Sequence, residues 1–404
     1  FEGATISNGV ASLRGGNIYT TNETWTFDKD TKILNGTSTS AGGNIADHGG
    51  TLNFKNVTVD GGVSGSGGGN IYIYRNKTDN VINIYDGALI QNGTAKTSGG
   101  NFNIAGMYKP DGADDYAYDE NGQPYLATVN IMGGKILNGN CDTNGTDSSP
   151  KGYGGNIYCA GNLNISGGVI TGGMQRENPY DINFAANKLK DADGNYYGYA
   201  KLTISGGEVG DKFHVTYCDQ ITISGAPKLG KINLVNNMVT VGKMTKGACV
   251  NVSSYQSVFT YAFNDAKAYA DAGYFVALDA GKVIRATENN ELALLSPADL
   301  VDPNAVYEAA KAMDFTNADP DTGKVTALCP ACNVEVDWYP LEANTSGIGL
   351  VKEAGHYYLS EAIDYTKNNA LYSFPCNDRV CINLNGQNLT SSARAFYAEG
   401  ESTV

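Results

Sequence analysis

Apolar and polar side chains alternate along this chain in short bursts, each closed by glycine or asparagine, and the bursts fall into three series that keep step. The first follows a glycine corner: RGGNIYT at 14–20, AGGNIAD at 41–47, SGGGNIYIY at 66–74, SGGNFNI at 98–104, YGGNIYC at 153–159 and a degraded PYDINFA at 179–185. The second has an in-out-in pattern at Trp25–Phe27, Leu52–Phe54, Ile82–Ile84, Val129–Ile131, Leu163–Ile165, Leu202–Ile204 and Ile221–Ile223. The third closes on Asn-Gly or Gly-Gly and is marked by Ile6, Ile33, Val59, Ile90, Ile136, Ile170 and Val209. Period-two alternation between glycine-rich corners predicts three short strands per unit.

With asparagine as the register mark, Asn17, Asn44, Asn70, Asn101, Asn156 and Asn183 recur at intervals of 27, 26, 31, 55 and 27 residues. A repeat of about 27 residues, with insertions in the long gap, is the signature of a solenoid. A unit of this kind cannot bury its own apolar face, so the units must stack. The expected fold is all-β, a right-handed parallel β-helix whose coils are about 4.8 Å thick. Ile18, Ile45, Ile71, Phe102, Ile157, Phe184 and Phe213 then form one inner column. The glycines turn the corner, and the asparagines form a ladder of side-chain amides along the axis.

The pattern divides the chain. Residues 1–250 read as the β-helix. Residues 251–298 keep strand character without the repeat and read as a β-rich cap over the open end of the core. Residues 299–324 form a linker with a short helix, in which Asp302 is the N-cap, Pro303 takes the first helical position and helix formers run to Met313. Residues 325–404 are a cysteine-containing module leading into a second β-helix that breaks off early.

Charge narrows the partners. The formal net charge is −14 and no basic run concentrates the 28 Lys and Arg, which argues against nucleic acid and anionic membrane surfaces. No stretch is long and apolar enough for a helix that inserts directly into a bilayer. The sequence opens inside a repeat, at FEGATISNG, which predicts a segment of a longer chain.

The GGN-I repeats resemble the GGA-I repeats of polymorphic outer-membrane proteins and related β-helical adhesins, although the Phe-x-x-Asn half of that repeat is not regular here. The series ITISGAPK, INLV and VTVGKMTKGACVNV, followed by CPACNVEVDW, GHYYLSEAI and VCINLNGQNLT, is similar to very large cell-surface proteins of anaerobic, gut-type Gram-positive bacteria. The resemblance implies an extracellular, cell-surface attached location and an elongated repetitive parent molecule. It supplies no activity.

Three constellations bear on chemistry. Cys329, Cys332, Cys376 and Cys381 lie within 53 residues with His356 between them, in a chain holding only eight Cys and three His. A C-x2-C knuckle presents two thiolates at a spacing that suits tetrahedral zinc, and Cys329, Cys332, His356 and Cys381 are the preferred set for a structural site. A disulfide such as Cys376 to Cys381, and reduced buried thiols, are the alternatives. Cys159 reads as a small inward filler.

Two insertions, 107–128 and 186–201, both follow the GGN-I strand and should leave the same corner about 10 Å apart. They carry Tyr108, Asp114, Asp115, Tyr116, Tyr118, Asp119, Tyr125, Asp193, Tyr196, Tyr197 and Tyr199. Tyrosines beside acids grip sugar rings or a protein partner, the ring supplying apolar area and the hydroxyl a hydrogen bond. The competing reading is tolerated surface loops. DADGN at 191–195 resembles the opening of a calcium loop but lacks the closing glutamate, so a solvated turn is preferred over calcium.

Polysaccharide lyases and hydrolases on a β-helix need carboxylates, or a base with calcium, on one outward face in adjacent layers. The outward positions after the second strand are Asp28, Lys55, Tyr85, Met132, Ser166, Ser205 and Ser224, which form no such cluster, and His48 and His214 show no evident partner. The expected function is therefore a rigid stalk with an adhesin-like binding surface for a glycan or a host or partner protein, and not an enzyme. A polysaccharide lyase or glycoside hydrolase and a purely structural spacer are the alternatives.

Overall fold

The computed structural model describes all residues except 75, 78–79, 110–115, 143–151, 188, 191–195, 297–302, 332–333, 342–349, 352–354, 366–371, 376–379, 392–395 and 400–404. The chain divides into two compact units, Phe1–Leu295 and Ser296–Val404. The first is a parallel β-helix. Its first face stacks Ile18–Thr20, Ile45–Asp47, Ile71–Ile73, Phe102–Ile104, Ile157–Cys159 and Ile182–Ala185. The second face runs from Glu23–Phe27 to Val239–Met244, and the third from Thr5–Ser7 to Val169–Thr171. A fourth strand of two residues per coil, Val10–Ala11 through Met174–Gln175, precedes each glycine corner. Two residues are too few to display a period, so this strand leaves no mark in the hydrophobic pattern.

The columns follow the apolar pattern. Trp25, Leu52, Ile82, Val129, Leu163, Leu202 and Ile221 pair in sequence along the second face. Ile6, Ile33, Val59, Ile90, Ile136, Ile170 and Val209 do so along the third. The first face contains one correction. Ile182, not Phe184, lies between Ile157 and Phe213, while Phe184 opposes Cys159. Both phenylalanine and isoleucine still point inward, because positions two apart share a face.

The ladder explains the slip. Asn17 Nδ2 donates to Asn44 Oδ1, Asn44 to Asn70, Asn70 to Asn101 and Asn101 to Asn156, each at 2.7 Å. Asn156 Nδ2 then donates to Asp181 Oδ1 at 2.8 Å. Within each coil the same oxygen accepts the N–H of a corner glycine, as Gly36 does to Asn44 and Gly173 to Asp181, both at 2.8 Å. The position demands an acceptor, and aspartate supplies one. Having no N–H of its own, Asp181 ends the ladder and fixes its direction, and its other oxygen takes the Asp211 N–H at 2.7 Å. Asn183 stands outside the ladder, paired with Tyr158 on the outward column.

The glycines of one coil show why the corner excludes side chains. Gly42 sits at φ +67°, and a Cβ on Gly43 would lie 2.2 Å from the carbonyl oxygen of Gly69 in the next layer. Backbone meets backbone there, which leaves no side chain to give way.

At Glu208–Thr216 the corner disappears. That strand pairs with both Val169–Thr171 and Ile182–Ala185, so the third and first faces fuse. The interval between layers falls accordingly, from Phe213 to Ile232 and then to Val252, which is 232 − 213 = 19 and 252 − 232 = 20 residues. Stacking continues beyond residue 250, since Cys249–Ser254 pairs in parallel with Phe275–Ala277. The end is closed by a helix, Ala266–Asp271, and an antiparallel hairpin of Val283–Ala286 with Leu292–Leu295. The six-residue helix is an addition to the expected β-rich cap, too short to show a helical period between strands. Ala266, Phe259, Phe275 and Leu292 belong to the same apolar cluster as the coils, so the cap seals the column.

The second unit begins with a helix, Pro303–Lys311. Three parallel strands follow, Val334–Pro340, Gly355–Tyr358 and Val380–Asn383, with Val325–Cys329 antiparallel on the first of them. Leu350–Val351, Tyr372–Pro375 and Phe396–Glu399 make a second parallel face, and Ile363–Tyr365 with Leu389–Ser391 a third. This is a second, smaller β-helix. Among the described residues of the chain no helix is long and apolar enough to cross a membrane.

The inward column that holds Thr20 also holds an acid. Asp47 lies between Thr20 and Ile73, is 0% exposed, and neither of its carboxylate oxygens has a hydrogen-bond partner. Burial pushes its pKa up from 3.8 to about 7, while the nearby Gly49 and His48 N–H groups pull the other way without reaching hydrogen-bond geometry. A raised carboxyl pKa means that the folded state favours the protonated form. Its contribution to stability is full below about pH 4 and is lost as pH rises through about 7, at a cost of order 4 kcal/mol. Thr20 Oγ1, directly paired and also without a partner, is an acceptor for the neutral acid. The first unit should therefore melt at a higher temperature at pH 5 than at pH 8. In Asp47→Val the difference should shrink to what Asp181, raised in the same direction by burial, contributes. An undiminished difference in calorimetry of that variant would assign the pH dependence elsewhere.

Candidate functional site

The two insertions leave the first face after Phe102–Ile104 and after Ile182–Ala185, and they meet. Met107 N donates to Asn187 Oδ1 at 2.8 Å, and Asn187 Nδ2 donates to the Tyr116 hydroxyl at 3.1 Å. A Cβ on Gly106 would lie 1.9 Å from Asn187 Oδ1, so the loop bases interlock at a glycine. Higher up, the Tyr118 and Tyr199 rings pack edge to face with centroids 6.1 Å apart. Met107, Ala186 and Ala200 are buried beneath them.

The described candidate residues can be placed one by one. Tyr108 and Tyr125 are half-buried where the first insertion closes on itself, Tyr108 N donating to Tyr125 O at 3.3 Å. Tyr118 is exposed, and Tyr116 and Tyr199 are half-buried. Asp119 is committed to the turn, its Oδ1 accepting the N–H groups of Asn121 and Gln123 at 2.8 Å. One carboxylate oxygen is thereby spent on shaping the loop. The second insertion is a small hairpin in which Leu189 pairs with Tyr197 and Lys190 with Tyr196. Asp114, Asp115 and Asp193, with the DADGN turn, lie outside the described residues.

Directly beside the second insertion is a groove of about 410 Å³, lined by Tyr153, Tyr158, Tyr180, Asn183, Ala185, Lys212, His214 and Thr216. It lies on the outward column of the first face, where Tyr158, Asn183 and His214 occupy successive layers. The Tyr180 hydroxyl donates to Asn183 Oδ1 at 2.9 Å, and Lys212 Nζ sits 4.5 Å from the centroid of the Tyr180 ring. Burial, and then the Lys212 ammonium, hold the His214 imidazole below its usual pKa. The groove was illegible in the sequence because its residues are outward members of three coils whose register hinges on Asp181. With that register, the Tyr158–Asn183–His214 column can be read off directly. At the other end of the same face, His48 also has company, stacked on Tyr74 at 4.2 Å with its Nε2 2.9 Å from Arg14 Nη1.

In the second unit, Cys329, His356 and Cys381 converge. One ligand atom from each lies within 4.8 Å of the others, with Cys329 buried and the other two half-buried. Register builds the cluster, since His356 and Cys381 pair directly on adjacent strands. Trp338, paired with His356, packs its ring edge to face on the imidazole at 5.1 Å. Phe315, Trp338 and Tyr358 enclose the Cys329 side. Tetrahedral zinc with bonds of about 2.0–2.3 Å needs its ligand atoms about 3.3–3.8 Å apart, so these three atoms would need at most a small inward adjustment to share one ion. Cys332 and Cys376 lie outside the described residues. The first unit's Cys141, Cys159 and Cys218 differ in kind. Burial pushes each thiol up to about 12, which holds it protonated as an apolar filler and not a nucleophile.

No family model matches this chain, and no curated protein and no solved structure matches it either.

Proposed function

We propose that the chain is an extracellular, cell-surface attached segment that acts as a rigid stalk and carries an adhesin-like binding corner for a glycan or a partner protein. The observation that supports this most is the interlocking of the two insertions. A β-helix wall is stiff and nearly flat, and a concave site must be built by loops standing off it. Here the loops brace each other through Asn187 and the Tyr118–Tyr199 contact, so that tyrosine surface is held in place before a ligand arrives. Preorganisation of that kind lowers the entropic cost of binding.

The same reading includes a structural zinc in the second unit, supported by the convergence of Cys329, His356 and Cys381, with Cys332 proposed as the fourth ligand. Four protein ligands leave no open position, so the metal would tie the strands together and take no part in catalysis.

The binding corner is tested by replacing residues 108–126 with a short Gly-Asn turn. The circular dichroism spectrum and melting temperature should stay close to those of the intact protein, while adhesion to host cells or mucin is abolished. Full adhesion by the trimmed protein would make the corner ordinary surface and favour the spacer reading.

A further inference from the structure

We propose that the groove beside the second insertion is a binding site for a sugar residue bearing a carboxylate. Three observations converge on that chemistry. First, the lining contains no Asp or Glu, although the chain carries 42 acids against 28 Lys and Arg. In a protein of net charge −14, a pocket free of carboxylates that contains a lysine stands apart from its surroundings. Second, the donors are unspent. Lys212 has no carboxylate partner among the described residues, its Nζ resting only on the Tyr180 ring. Asn183 commits its oxygen to the Tyr180 hydroxyl while its amide N–H groups keep their capacity. Third, the exposed Tyr153 and the half-buried Tyr158 supply aromatic area, with the buried Tyr180 ring backing Tyr153 at 6.2 Å.

An unpaired ammonium beside neutral donors calls for an anion, and the aromatic surface calls for the apolar face of a ring. A uronate or sialate combines the two. The groove continues along the stack. A neighbouring hollow of about 240 Å³, lined by Pro179, Asp211, Lys212, Lys231, Asn233, Ser253 and Leu278, shares Lys212 with it. The ligand class is therefore an oligosaccharide laid along the layers with its carboxylate at Lys212. In that hollow Lys231 is already paired with Asp211 at 3.1 Å, which leaves Lys212 as the anion contact.

These residues are distinct from the two-loop corner, so this site stands or falls separately from the stalk-and-corner reading. The test is calorimetric titration of the full chain with a galacturonate trisaccharide, a glucuronate-containing oligosaccharide and sialyllactose, against maltotriose and lactose as neutral controls. At least one acidic probe should bind, more weakly as salt rises, and the neutral sugars should not. Lys212→Met should weaken that binding about tenfold or more, and Lys212→Arg should retain most of it. Lys212 is exposed, so both variants should melt like the parent. His214→Gln should weaken binding less. The protein with residues 108–126 replaced should still bind the acidic sugar. Failure of all three acidic probes to bind, or unchanged affinity in Lys212→Met, would overturn the proposal. So would equal binding of a polyglutamate peptide, which would assign the groove to acidic peptides.

Discussion

Ile157→Asp is expected to destabilise the first unit by about 4 kcal/mol or more and to open the coils around it. Ile157 is 1% exposed and is stacked between Phe102 and Ile182, with Leu163 and Ile165 of its own coil in the same core. A carboxylate there has no water and no partner, and each layer of a solenoid depends on its neighbours. Hydrogen exchange should locate the opening in Phe102–Ile104, Ile157–Cys159 and Ile182–Ala185 before it reaches the cap. A variant melting at the parent's temperature would remove Ile157 from the core and with it the first-face register. Asp47 is no counterexample. It sits nearer the end of the stack, beside the hydroxyl of Thr20, and its raised pKa lets it remain neutral below about pH 7.

The second large effect is expected at the cysteine and histidine cluster. Purified protein should carry about one zinc per chain, lost in Cys329→Ser and in His356→Ala. Structural zinc is worth about 10 kcal/mol to a small unit at neutral pH, so either substitution, or a strong chelator, should abolish the cooperative melting of the second unit. The melting of the first unit should not change, because Phe1–Leu295 has its own core. Elemental analysis showing no zinc, with mass spectrometry placing Cys329 or Cys381 in a disulfide, would reject the metal.

Much of this was legible in the pattern of side chains. Strand columns such as Trp25–Leu52–Ile82 and Ile6–Ile33–Val59 follow from alternation alone, because one face of every strand must be apolar and the repeat fixes which residue lies above which. The ladder was legible as far as Asn156. At PYDINFA the only asparagine is Asn183, while the geometry requires a buried acceptor and finds it two residues earlier in Asp181. That slip of two residues also hid the groove, since it removed Asn183 from its place between Tyr158 and His214. The fused strand Glu208–Thr216 was hidden for a related reason. Losing a corner shortens the coil, so the interval of about 27 residues no longer marks the layers there. The meeting of the two insertions could be expected from their shared point of departure, but the bracing by Asn187 could not, because an asparagine in a loop carries no signature of its partner. At the cysteine cluster, spacing suggested the ligands, and the pairing of His356 with Cys381 brings two of them side by side.

Whether the β-helix presents a binding surface or merely spans distance is decided by applying the labelled protein to an array of glycans and mucins. A binding surface should give retention on a defined subset of features at neutral pH, reduced when residues 108–126 are replaced. A properly folded protein, melting cooperatively and retained on no feature of the array, would contradict it.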